Sequence, residues 1–239
     1  MISTNNPFKN NDTYYKMTEG NSKLGKMLVS SNVPSDRIFR TNKGDILGSC
    51  PTTCKGCYGL AGNYRFNGTK EYLARQTWGW RKEIDEVMHD YEAQLRSVAD
   101  LGGGVVRIHA NGDFVSYDEL VFWLNMAKKY PNIQFYTYTK QYNFFRLAVK
   151  DGHETHLPNF VLNISVWGDF GKNEAHEFDG LYNCNIFEVV PKGTEREQGK
   201  VFCPGYDPKT AKRIAEHTCD SCGLCFRAGG KHILCVEHR

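Results

Sequence analysis

Val105-Val106-Arg107-Ile108-His109-Ala110-Asn111-Gly112-Asp113-Phe114 is the stretch from which the fold is read. Val105 to Ala110 has the β-branched content of a strand. Side chains alternate along a strand, so Val106, Ile108 and Ala110 share one face and Arg107, His109 and Asn111 share the other. A strand buried on both faces would be apolar throughout. One face is therefore expected to meet covering helices. The other lines a polar-ligand crevice or barrel lumen, or is simply solvated. Asn111-Gly112-Asp113 turns the chain at the strand's carboxyl end, where parallel α/β folds bind their ligands.

Outward from this stretch, strand and helix signals alternate. Upstream, Trp80, Ile84, Val87, Met88, Tyr91, Leu95 and Val98 recur at three- and four-residue steps, which predicts one long helix from about Thr69 to Asp100. It is closed by Leu101-Gly102-Gly103-Gly104. Downstream, helices are expected over Tyr117 to Lys129 and Tyr142 to Lys150. Strands are expected over Asn132 to Thr139, Asn159 to Trp167 and Cys184 to Val190. In the third strand Phe160, Leu162, Ile164 and Val166 form the apolar face, with Asn163 and Ser165 opposite. This alternation with short connections predicts an α/β fold with a mainly parallel sheet, open or curled into a partial (β/α) barrel. Residues 1–45 read as a polar arm, 46–195 as the core and 196–239 as a cysteine-rich module. Within the arm, Asn21-Ser22-Lys23-Leu24-Gly25-Lys26 reads as a loop of no special role.

Nine cysteines in a chain expected to be cytoplasmic call for metal ligation before disulfides. Cys50, Cys54 and Cys57 follow C-x3-C-x2-C, with Tyr58 next. An iron–sulfur cubane has four irons, so three cysteines leave one iron open to a substrate or cofactor. Structural zinc usually takes four protein ligands, and no local fourth partner is evident here. Cys219, Cys222 and Cys225 follow C-x2-C-x2-C, and Cys203-Pro204 supplies a distant fourth ligand. That pattern suits a second iron–sulfur cluster or a structural zinc. Cys235 is an alternative to Cys203, and His232 or His238 could join a zinc set. Cys184 reads as a buried apolar side chain.

The triad spacing resembles the signature of radical S-adenosylmethionine (radical SAM) enzymes. The resemblance implies that the open iron holds SAM and that reduction by a flavodoxin or ferredoxin cleaves it to a 5′-deoxyadenosyl radical acting on an unknown substrate. It implies cofactor-binding roles for Tyr58, Gly112, Asp113, Asn163 and Ser165, with Asp113 receiving the SAM ammonium. Gly112-Asp113 departs from the common Gly-Gly-Glu form, and capping the next helix is an equal reading of Asp113. Tyr58 reads equally as core packing, Lys140 and Glu188 stand near other strand ends, and His109 could move a proton. The ordered series of Asn21 to Lys26, Cys50 to Tyr58, Val106 to His109 with Gly112-Asp113-Phe114, Tyr136 to Lys140, and the cysteine-rich tail resembles the phage gene product 88 domain family. That likeness implies a radical-SAM-like fold and a host-cytoplasm setting but no substrate.

The remaining properties bound these readings. A 239-residue chain with 40% hydrophobic and 13% aromatic residues can build a substantial core, and a net charge of +3 favours no particular partner. No run approaches the roughly 18 apolar residues of a membrane span, and the polar start is not that of a signal peptide. The rival class is a non-enzymatic, metal-stabilised module that binds nucleic acid or a host protein. Lys209, Lys212, Arg213, Arg227, Lys231 and Arg239 give it some footing.

Overall fold

The computed structural model describes residues 7–8, 15–52, 54, 57–227 and 229–237; His238 and Arg239 lie outside them, as do Thr53, Lys55 and Gly56 of the cysteine loop. In chain order the elements begin with β1 (Thr18–Glu19), β2 (Leu28–Val29), β3 (Ile38–Thr41) and β4 (Gly44–Leu47). Then come α1 (Asn67–Lys82), α2 (Ile84–Asp100), β5 (Gly104–Ile108), α3 (Tyr117–Lys129), β6 (Ile133–Thr139) and α4 (Tyr142–Lys150). The chain continues with β7 (Phe160–Trp167), β8 (Asn183–Val190), β9 (Lys200–Phe202), α5 (Cys219–Cys222) and β10 (His232–Val236).

One eight-stranded sheet runs β1-β2-β5-β6-β7-β8-β10-β9, parallel at every pairing but β1 with β2. From β5 to β8 the order is sequential. Right-handed crossovers between neighbouring parallel strands return each helix to the same side, and α1 to α4 all pack on one face. There Trp80, Tyr91, Leu95, Trp123 and Phe145 meet Val106, Ile108, Phe135, Leu162 and Ile164 in the main core. The alternation expected for the third strand holds: Phe160, Leu162 and Ile164 face the helices, and Asn163 faces away.

Four expectations need correction. No barrel forms, because the sheet is open, with β1 and β9 as its edges. The single long helix is two, broken at Glu83 (φ −136°, ψ 46°), whose carboxylate accepts a 2.6 Å hydrogen bond from the Tyr15 hydroxyl. Residues 15–47 are no mere arm, since β1 and β2 extend the sheet and the β3–β4 hairpin packs on α1. The cysteine-rich tail is likewise woven into the sheet through β9 and β10. These short strands escape a periodicity search because two to five residues carry too few alternations to register.

His109 departs from the face assigned to it. β5 ends at Ile108, and His109 takes a left-handed backbone (φ 60°), which turns its ring to the helix side. There Nε2 lies 2.8 Å from Glu119, and Asn32 Nδ2 donates to the same carboxylate oxygen at 3.1 Å. The second oxygen of Glu119 accepts from Val115 N at 2.7 Å, and Ser116 Oγ caps α3 by accepting from Glu119 N at 3.2 Å. A buried carboxylate with this many donors is satisfied, and the cluster fixes the turn that leads to Asp113.

Candidate cysteine sites on one sheet face

The Cys50 loop sits over the carboxyl ends of β5 and β6. Ser49 anchors it: its hydroxyl donates to Val33 O at 2.7 Å and accepts from Asp113 N at 2.8 Å. Its carbonyl accepts from Gln141 Nε2 at 2.9 Å, and Cys50 N donates to Ser35 O at 3.1 Å. On the other side of the triad the Tyr58 hydroxyl donates to Ala110 O, while its half-exposed ring meets Tyr64 edge-on at 6.3 Å. Gly112 (φ 75°) is required here, since a Cβ would come within 2.5 Å of Asn32 O and 2.7 Å of Ser49 Oγ.

Burial pushes the Cys50 thiol up to about 12, and the neighbouring Asp113 carboxylate adds to the rise, with Lys140 opposing. Burial also raises Cys57, which senses both Cys54 and Lys140. The triad, Asp113 and Lys140 therefore share one small electrostatic neighbourhood. Asp113 is fully committed within it. Its Oδ1 accepts from Thr139 Oγ1 at 2.7 Å and Phe114 N at 2.9 Å, and its Oδ2 accepts from Lys140 N at 2.7 Å. It ties β5 to β6 beneath the loop, a role distinct from the helix cap read in the sequence.

The other cofactor-binding candidates are dispersed. Asn163 spends its amide on Thr137 O and Cys225 O, both at 3.0 Å, and its Oδ1 on Asn185 Nδ2 at 3.1 Å. Ser165 is buried, and its carbonyl accepts from the Tyr142 hydroxyl at 2.7 Å. Glu188 is elsewhere, engaged by His232 Nε2 at 2.7 Å and Lys200 at 3.3 Å. This pairing removes His232 from the tail cysteines.

The tail cysteines gather on the face opposite the helices. Cys203 follows β9 and Cys235 lies in β10, one step beyond the Leu234–Phe202 pair, so the two thiols stand side by side. A hydrogen bond from Cys235 draws Cys203 down from the usual thiol value and leaves Cys235 raised. Cys219 and Cys222 bracket α5, and burial raises Cys225 to about 12 even though the Tyr138 hydroxyl bonds to it. Cys225 senses Cys203, Cys219 and Cys222. Cys184 is apart, buried, with its thiol 3.4 Å from Asp179 Oδ1.

The loop at 21–26, expected to be inert, holds this group in place. Cys219 N donates to Lys23 O at 2.9 Å, Asp220 N to Leu24 O at 3.0 Å, and Lys26 N to Asp220 Oδ2 at 3.0 Å. Gly25 (φ 81°) cannot carry a Cβ, which would lie 2.0 Å from the Asp220 carboxyl carbon. Lys23 and Gly25 are the residues of this group that sequence reasoning missed, whereas Cys235, read as an alternative to Cys203, stands beside it. The compact polar run ending in Gly25-Lys26 was the available signal.

A family model described as gene product 88 matches residues 9–228. The chain belongs to the gene product 88 family. That match spans the Cys50 triad and Cys203 to Cys225 of this gene product 88 protein, and ends before β10 and Cys235. Neither a comparison with curated proteins nor one with solved structures returns a match.

The donor chemistry bears on an implied metal. Among the described residues no three His, Cys, Asp or Glu side chains are gathered tightly enough to hold a metal ion. A tetrahedral zinc with bonds of about 2.3 Å needs its sulfurs about 3.8 Å apart. The donor set alone, three thiols in the loop and five in the tail, is of a type that both zinc and iron–sulfur clusters take.

Proposed function

We propose that this protein is a radical SAM enzyme in which Cys50, Cys54 and Cys57 hold a 4Fe-4S cluster and the tail cysteines hold a second cluster or a zinc. When bound, the first cluster would supply an electron to SAM, giving a 5′-deoxyadenosyl radical that acts on a substrate yet to be identified. The observation that carries the reading is the seat of the triad over the carboxyl ends of β5 and β6, where parallel folds present their ligands. Three thiols there stand beside Asp113 and Lys140. The sequential β5–β8 order with all major helices on one side leaves the other face to the segments that carry the tail cysteines. A donor such as flavodoxin or ferredoxin in the host cytoplasm would reduce the protein.

The chain's own residues have definable tasks. Ser49, Gln141 and Tyr58 hold the loop's ends against the sheet. Asp113 fixes the β5–β6 edge, and Lys140 sets a positive charge beside thiols that must ionise to bind iron. Anaerobically reconstituted protein should hold iron and sulfide, and on reduction release 5′-deoxyadenosine from SAM. Cys54→Ala should abolish that release and lower the iron count by one cluster. Wild-type protein that holds only zinc and leaves SAM intact defeats the proposal.

One observation favours a second reading, a binding module. An open hollow of about 950 Å³ is lined by Lys192, Lys212 and Arg213 against a single acidic residue, Glu237, a balance that suits an anionic ligand such as a nucleic-acid backbone. Salt-dependent RNA or DNA binding by the zinc-only protein would support it.

A further inference from the structure

On the sheet face opposite the helices, the tail segment reaches the level of Asn163, whose amide donates to Cys225 O at 3.0 Å. The next residues outward on that face are set by strand register. Lys140 follows the Thr139–Ile164 pair, Ser165 pairs with Phe187, and Trp167 lies one step beyond. Lys140, Trp167 and Phe187 are all partly exposed. They stand at the carboxyl ends of parallel strands, where α/β folds present their ligands.

Two of these side chains are uncommitted. Lys140 Nζ lies 5.9 Å from the centre of the Trp167 ring, at the outer limit of a cation–π contact. Among the described residues Lys140 has no ion pair with a carboxylate, and Trp167 meets no other aromatic ring. The contrast is with Lys172 and Lys200, paired with Asp169 at 2.9 Å and Glu197 at 3.0 Å. A partly exposed indole offers a face on which a flat base stacks, and a free ammonium beside it meets a phosphate. Phe187, edge-on to Tyr138 at 4.8 Å, also packs on the cluster that holds Tyr206 and Ala211. Those two residues line the hollow that carries Lys192, Lys212 and Arg213. Positive side chains thus stand on both sides of Phe187, which favours a strand of several phosphates over a lone nucleotide.

We propose that Trp167 and Lys140 form a subsite for single-stranded nucleic acid, with one unpaired base stacked on the Trp167 ring and an adjoining phosphate held by Lys140. The inference deepens the proposed function by naming a substrate class. It rests on that reading only in calling the strand a substrate, since the binding itself needs neither metal nor SAM.

The test titrates the full chain, as purified, into end-labelled single-stranded DNA and RNA oligonucleotides and follows fluorescence anisotropy over a range of salt. Trp167→Leu should weaken binding by about 10- to 100-fold, the range set by one stacked base, and Trp167→Phe should keep most of the affinity. Lys140→Met should lower the slope of log affinity against log salt by about 0.7, one phosphate contact on a single strand, and Lys140→Arg should restore it. An abasic strand of equal length should bind wild type more weakly than the base-carrying strand, and excess SAM should not displace either strand. Urea midpoints are read alongside: a merely structural Trp167 would give an earlier midpoint with unchanged affinity. Equal affinity of wild type and Trp167→Leu overturns the proposal, as does equal affinity for duplex and single strand, displacement by SAM, or no binding at all. None of these results bears on release of 5′-deoxyadenosine, so the SAM reading stands or falls separately.

Discussion

The two faces of the central sheet are covered in opposite ways. On one, α1 to α4 lay an apolar stripe against Val106, Ile108, Phe135, Leu162 and Ile164, and the buried Glu119 carboxylate among them is met by His109 and Asn32. On the other, two short segments, 21–27 and 219–226, lie over Arg107, Tyr136, Tyr138 and Asn163, fastened by main-chain hydrogen bonds and lined with thiols. The first face holds itself by hydrophobic burial. The second has a small core of its own, in which the Arg107 guanidinium lies over the Tyr138 ring.

Substitutions on each face can break or sharpen this contrast. The largest effect belongs to the helix face: Trp123→Ala, removing a fully buried ring packed on Tyr91 and Phe122, should cost about 3–5 kcal/mol in urea unfolding. The cost should be the same with or without metal. Next, Glu119→Ala should lose about 3 kcal/mol by leaving His109, Asn32 and Val115 N without their acceptor. On the other face Gly25→Ala should cost about 1–3 kcal/mol through its left-handed backbone and the Asp220 clash. It should also expose the chain near Asp220 to protease, and metal loading should counter that exposure. A Gly25→Ala cost as large as that of Trp123→Ala would break the contrast. The smallest effect is expected at Arg146→Ala, whose half-exposed pair with Glu177 lies outside both faces and should contribute under about 1 kcal/mol.

How much of this could be read in advance varies with the length of the signal. α3 and α4 fall where periodicity predicts, Tyr117–Lys129 and Tyr142–Lys150, because apolar spacing sustained over more than two turns is hard to mistake. The face assignments of Arg107 and Asn163 also hold, since alternation is a local property of extended chain. His109 failed because a single left-handed residue cancels the alternation, and its reason, Glu119, lies ten residues away. The 21–26 loop was passed over for the same cause on a larger scale. Its partner, Asp220, is 194 residues from Lys26.

By itself, the sequence determined the parallel α/β pattern, the two cysteine groups and the residues able to carry charge beside them. These follow from side-chain chemistry and short-range spacing. Only the tertiary structure decided that the sheet stays open, that Asp113 is spent on stitching β5 to β6, and that the 21–26 loop is bonded to Cys219 and Asp220 of the tail. Each of those is a meeting of segments far apart in the chain, set by which strand pairs with which.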